Sequence, residues 1–181
     1  MNTQSTPYRV LLTVLGIPFT VNGQSWQFVP PKLVIGIIVA LIAKTGSSVF
    51  ECVGWGIVFG LLLVTLLCLH ILGHILASKL TSPPMSEARI TPVLIQTLYP
   101  DNANTSGRTH LIRSLGGPIM TVLLGLISLV VWTMLGNHVL LFFALANFAI
   151  ALIVLLPLPT VDGDVIWREV GQWAKSRIER C

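Results

Sequence analysis

Four apolar stretches decide what this chain can fold into. They run over roughly 29–43, 53–77, 115–135 and 139–158. The last three match the ~20 residues that a helix needs to cross a hydrocarbon core of about 30 Å. The first is short for a span and opens at Pro30-Pro31. In lipid every backbone N–H and C=O must be satisfied within the segment itself, so isolated runs of this kind form helices. The rest of the composition agrees: apolar types make up 54% of the 181 residues and charged types only 10%, against about 25% charged in a soluble domain. So few charges exclude a lone soluble enzyme. Disorder is excluded too, because it needs low hydrophobicity and high charge.

The expected fold is therefore an all-α integral membrane protein with about four transmembrane helices, one membrane domain over 1–181. An N-terminal segment (1–28) precedes a four-helix core (29–159) whose cytoplasmic loop spans 78–114. An Asp-Gly turn and an amphipathic C-terminal helix follow (160–181). The loop stretch 88–98 (ARITPVLIQTL) is rich enough in β-branched residues to form a short strand, which Pro92 would limit to an edge or break.

Basic residues set the orientation. With four spans, ten of the eleven Lys and Arg (Arg9, Lys32, Lys79, Arg89, Arg108, Arg113, Arg168, Lys175, Arg177, Arg180) fall on one side and Lys44 alone on the other. The positive-inside rule then places both termini in the cytoplasm. Trp26 and Trp167 fall near the inner interface, Trp55 and Trp132 near the outer one. The net charge of +4 comes from scattered loop residues, so it reads as topology, with no nucleic-acid partner. Membrane lipid is the expected surroundings. Cys52, Cys68 and Cys181 form no spaced pair, so neither a disulfide framework nor a Cys-type zinc site is expected. The N-terminal apolar run is broken at Pro18, and no cleaved signal is expected. In the tail, Ile166, Trp167, Val170 and Trp173 would lie on a membrane surface, with Arg168, Lys175 and Arg177 in water, or pack on the bundle.

Three features are costly in lipid. His70 and His74, in CLHILGHILASKL, are four apart and share a helix face. Such a pair either ligates one metal or is hydrogen-bonded within the bundle. In LLPLPTVDGDV, Pro157 and Pro159 lack amide donors and must unwind the end of the fourth span. That presents Asp162 on irregular backbone beside Gly163, which allows a tight turn or close approach. The second and fourth spans run in the same direction, so Asp162 reaches a depth comparable to the histidines, and His-His-Asp would make a three-ligand zinc site with an open fourth position. Gly116-Gly117-Pro118 is the third feature: either small residues for close helix approach or a helix start with Pro at an early position.

These residues resemble the site-2 protease family of intramembrane zinc metalloproteases. Gly16-Ile17-Pro18 with Val21 is similar to the family's GIPV element. HILGH at 70–74 sits where the family has HExGH, RSLGGPIM at 113–120 where it has AGPxxN, and LLPLPTVDG at 155–163 where it has NLLPxPxLDGG. The resemblance covers most of the chain and implies Zn2+ held by His70, His74 and Asp162. It implies a fold that cuts peptides within the membrane, here as a minimal core without appended PDZ or CBS domains. It also implies a substrate and packing region over Gly116, Gly117, Pro118, Thr121, Val154, Pro157, Pro159 and Gly163, and a strand beside the site that receives substrate by strand addition.

The chain departs from the pattern at its chemistry. The family's general-base Glu is Ile71 here, the Asn eight residues before the Asp is Val154, and the Asn after Gly-Pro is Thr121. General acid–base catalysis contributes about 10²- to 10⁴-fold, so a metal alone leaves a poor protease. Asp164, and Glu87 on the loop, are the carboxylates that would have to substitute. Glu51 lies some 19 residues and roughly 28 Å of helix from His70, too far away. His110 and His138 read as solvated, and the Asn104-Thr105-Ser106 sequon lies on the cytoplasmic loop, where it would not be glycosylated. Three functions follow as candidates. The first is a metal-binding homologue that has lost peptide hydrolysis and binds a transmembrane segment or membrane complex. The second is an active protease with an unconventional base, and the third a structural accessory subunit without metal.

Overall fold

The computed structural model describes residues 7–100 and 105–178. It is mostly helical: α1 (Pro30–Ala43), α2 (Val49–Lys79), α3 (Gly107–Leu135), α4 (His138–Leu155) and α5 (Asp162–Ile178). Four helices are long and apolar enough to cross a membrane, counting a short 3-10 turn (Ser25–Phe28) together with α1. The expected spans are all present, with shifted ends. α2 has 31 residues, roughly 46 Å at 1.5 Å per residue, well beyond one hydrocarbon thickness. α3 starts two turns before its apolar run because Ser106 caps it, accepting from the Thr109 amide. Pro118 consequently lies deep inside α3 and is no helix start. His110 lies in the first turn of α3, half-buried, and not on a loop; His138, the first residue of α4, is exposed as expected. Asn104, Arg180 and Cys181 fall outside the described residues.

The chain falls into two compact units, one of residues up to 67 with 85–99, the other of 68–84 with 100 onward. The first holds a four-stranded sheet, larger than the single loop strand expected. Strands β1 (Arg9–Val14), β2 (Ile17–Val21), β3 (Glu87–Ile90) and β4 (Ile95–Leu98) lie in that order. β1 and β2 form a hairpin around Leu15 and Gly16, both at positive φ. β3 and β4 form a second hairpin whose turn contains Pro92, so the proline breaks the stretch as expected. The hairpins join through a parallel pairing of Phe19 with Ala88. In the same unit α1 crosses the start of α2 at glycines: a Cβ on Gly36 would stand 2.2 Å from the Gly56 carbonyl oxygen, and one on Gly60 2.6 Å from the Leu33 Cα. Lipid supplies no hydrophobic drive between helices, so such backbone-to-backbone approach is how they associate.

In the second unit the end of α2 meets α3 at Gly73 and Gly116 and α5 at Asp162, and α3 packs with α4 and α5. The buried positions of α3 are Arg113, Gly117, Pro118, Thr121, Gly125 and Ser128. They form a small or polar stripe at helical spacing: Arg113 and Gly117 meet the end of α2, and Gly125 meets Phe148 of α4, whose buried positions are Ala144, Asn147 and Ala151. The opposite face of α3 exposes Leu123, Ile127, Val130 and Met134. That pattern inverts the one of a water-soluble bundle and fits contact with membrane lipid. α5 is amphipathic and packs on α3 and α4, the second of the two alternatives for the tail. Ile166 is buried against the bundle, while Trp167, Val170 and Trp173 remain exposed.

Candidate metal centre

His70 and His74 sit side by side on the buried face of α2, their ring centroids 4.8 Å apart. Glycines decide what can face them. A Cβ on Gly73 would stand 2.3 Å from the Gly116 carbonyl oxygen, and a Cβ on Gly116 2.5 Å from that of Gly73. α2 and α3 thus touch backbone to backbone. That contact brings Gly117 against the imidazoles, where a Cβ would lie 2.3 Å from His74 Nε2 and 2.4 Å from His70 Nε2.

Asp162 arrives from the other side. α4 stops at Leu155, and the Pro157 and Pro159 segment is non-helical, with Thr160 at a φ of 74°. Asp162 itself does not lie on irregular backbone: it is the first residue of α5. The chain turns back so tightly that a Cβ on Gly163 would stand 2.1 Å from the Leu156 carbonyl oxygen. Trp167 Nε1 donates to the Leu155 carbonyl at 2.8 Å, closing the orphan end of α4.

Three donor atoms converge. His70 Nε2 lies 3.1 Å from Asp162 Oδ2 and 3.1 Å from His74 Nε2, and His74 Nε2 lies 3.3 Å from Asp162 Oδ1. Zinc bonds of about 2.0–2.1 Å at tetrahedral angles put ligand atoms about 3.3 Å apart, so the spacing fits one ion. The protonation pattern fits as well. His74 Nδ1 lies 2.8 Å from the Arg113 carbonyl, which can only accept, so that nitrogen carries a proton and Nε2 is the atom turned inward. One proton on His70 Nε2 can serve the carboxylate or His74, not both. Two inward-facing imidazole Nε2 atoms and a carboxylate make a donor set that suits a cation. Burial pushes the Asp162 carboxyl up, but its contacts with His70 and then His74 outweigh that and hold it below the ordinary carboxylate range. His70 Nδ1 is buried without a partner.

The other candidates divide. Ile71 is buried next to the pair, its side chain without an ionisable group. Thr121 is fully buried and donates to the Gly117 carbonyl at 2.8 Å, so its hydroxyl is engaged within α3. Val154 is half-buried near the end of α4, and Pro157 and Pro159 are exposed. Asp164 is outside the cluster: its side chain is 53% exposed and lies 4.0 Å from Arg168. Glu87, on β3, is taken by Arg89 at 2.9 Å and by the Thr20 hydroxyl, and the Arg89 hydrogen bond holds its carboxyl below the ordinary range. Glu51 caps α2, accepting from the Ser48 amide at 3.0 Å.

Sequence reasoning missed Arg113. In the sequence it reads as a loop charge, yet it is 3% exposed, with its guanidinium bound to the Thr81 hydroxyl and the Pro83 carbonyl. It also missed Asn147, fully buried in α4 with Oδ1 unpartnered; an amide within an apolar span was the available signal.

The helical fold with its small sheet is similar to that of a site-2 protease. The solved structure of the site-2 protease from Methanocaldococcus jannaschii matches with a TM-score of 0.61 at 19% sequence identity, covering 91% of this chain and 71% of that one. At that identity the likeness is one of fold. No protein-family model and no curated protein sequence matches the chain.

Proposed function

We propose that this chain is a site-2-protease-like membrane protein that binds zinc through His70, His74 and Asp162 and has lost peptide hydrolysis, serving to bind a transmembrane segment or a membrane complex. The observation that carries the reading is the coexistence of an inward-facing His/His/Asp donor set with buried Ile71 at the general-base position. Zinc, when bound, lowers the pKa of a bound water and polarises a carbonyl. Hydrolysis also needs a group to take and return a proton. Asp164 is paired outward with Arg168, and Glu87 is held by Arg89 and Thr20, which speaks against either as a substitute base. The distribution of Lys and Arg supports cytoplasmic termini.

The test is zinc content of the detergent-purified chain, with cleavage of a helical membrane substrate assayed in parallel. The expected result is about one zinc per chain, lost in His70→Ala and Asp162→Ala, with no chelator-sensitive cleavage. Cleavage that stops on chelation would overturn the loss of hydrolysis. A metal-free native protein would leave the accessory-subunit reading.

A further inference from the structure

A second site lies where α5 crosses the start of α3. We propose that the groove between these two helices binds an anionic membrane phospholipid, its acyl chain along the groove and its phosphate at Arg108 and Arg177. The groove has a volume of about 720 Å³, within the roughly 300–1,000 Å³ of small-molecule sites. Its apolar walls are Leu111 on α3 with Val170 and Trp173 on α5, and Gly107 lies at its end.

Depth in the membrane follows from α3 itself. The wall residues Gly107–Leu111 precede the apolar run that starts at 115, which puts them roughly 6–12 Å beyond it along the helix. The headgroup layer extends roughly 5–7 Å beyond the hydrocarbon core, so Leu111 lies within it and Gly107 just outside. An apolar trough held at headgroup level accepts an amphiphile that has both an acyl chain and a polar head.

Charge selects the head. Arg108 lines the groove, and the Arg177 guanidinium lies over the Trp173 ring at 4.7 Å, placing a second cation at its edge. The acidic wall residue, Glu169, is spent elsewhere. It packs so closely on Gly107 that a Cβ there would meet its Oε2 at 2.4 Å, and Arg168 lies 3.5 Å from its other oxygen. A carboxylate at that position complements the N-terminus of α3 and directs a lipid phosphate to the two arginines. A zwitterionic head also carries a phosphate, but its cationic amine is repelled by the same two arginines, so an anionic head is favoured there.

The test uses the full chain in vesicles of zwitterionic lipid doped with phospholipids brominated on their acyl chains, which quench nearby tryptophan. The Trp173 component is the difference between the native chain and Trp173→Phe. Expected is a preference of about fivefold or more for brominated anionic over brominated zwitterionic lipid at Trp173. Arg108→Gln with Arg177→Gln should abolish it, and Glu169→Gln should raise it. Equal quenching by the two lipids would overturn the proposal. So would a preference that survives the double substitution, or a Trp173 shielded from both lipids by a second copy or another protein. The readout does not involve the metal centre, so it stands or falls apart from the proposed function.

Discussion

The His74 imidazole donates through Nδ1 to the backbone carbonyl of Arg113 at 2.8 Å, and the Arg113 side chain reaches the other way, to Thr81 and Pro83. One residue of α3 thus fixes the tautomer of a histidine on α2 and ties down the chain just beyond that helix. Outer partners of this kind typically change metal affinity about 10- to 100-fold. Arg113→Met should keep the stoichiometry of zinc but weaken its affinity about tenfold, because the carbonyl loses its anchor while remaining in place. Competition with a chromophoric chelator measures this; an unchanged affinity would show that the carbonyl is held without the side chain.

Gly117 gives a sharper case. Its missing Cβ would stand at nearly metal-bond distance from both Nε2 atoms, so a methyl group and an ion compete for the same volume. Gly117→Ala should abolish zinc binding and cost about 1–3 kcal/mol through overpacking. Zinc content and thermal unfolding in detergent read the two effects separately, and retained stoichiometric zinc would disprove the competition.

Away from the helices, Glu87 links β3 to Thr20 on β2 and to its neighbour Arg89. Its carboxyl is held below its ordinary value of 4.5, chiefly by the Arg89 hydrogen bond. A depressed carboxylate adds stability that is present above the unfolded pKa and lost as pH falls through the folded one. The sheet should therefore weaken as pH is lowered from about 4.5, and Glu87→Gln should flatten that dependence while lowering stability at neutral pH. Unfolding followed as a function of pH checks it; parallel curves for the two chains would refute it.

What was legible in the sequence depended on whether the signal was local. The spans were readable because hydropathy over some twenty residues needs no tertiary information. The histidine pair was readable from i, i+4 spacing, and Asp162 from the prolines that end α4. The N-terminal hairpin was not: β1 (RVLLTV) is exposed nearly throughout and shows no alternation. The pairing of Phe19 with Ala88 joins segments far apart in the chain and leaves no local trace. The role of Arg113 was hidden for another reason, since the group that meets His74 is a backbone carbonyl that any residue would carry. Of the two readings of Gly116-Gly117-Pro118, close helix approach is the one found, and a helix start is not, because Ser106 caps the helix well upstream.

Gly163 separates the shape of the site from its charge. A Cβ there would meet two backbone carbonyls, those of Leu155 and Leu156, at 2.5 and 2.1 Å, and neither can yield without moving the turn that carries Asp162. Gly163→Ala should therefore displace the Asp162 carboxylate, destabilise the chain by about 1–3 kcal/mol, and lower zinc affinity although every ligand remains. Asp162→Asn is the complement: it keeps the turn and removes the charge. If geometry and charge both matter, each variant loses zinc, but only Gly163→Ala also loses thermal stability in metal-free buffer and the ordered environment of Trp167, whose indole donates to the Leu155 carbonyl. Trp167 fluorescence and zinc titration on the two variants make the comparison. Equal zinc affinity in Gly163→Ala and the native chain would mean that the turn re-forms around the added methyl group, and that the tight approach of α5 to the end of α4 does not position the aspartate.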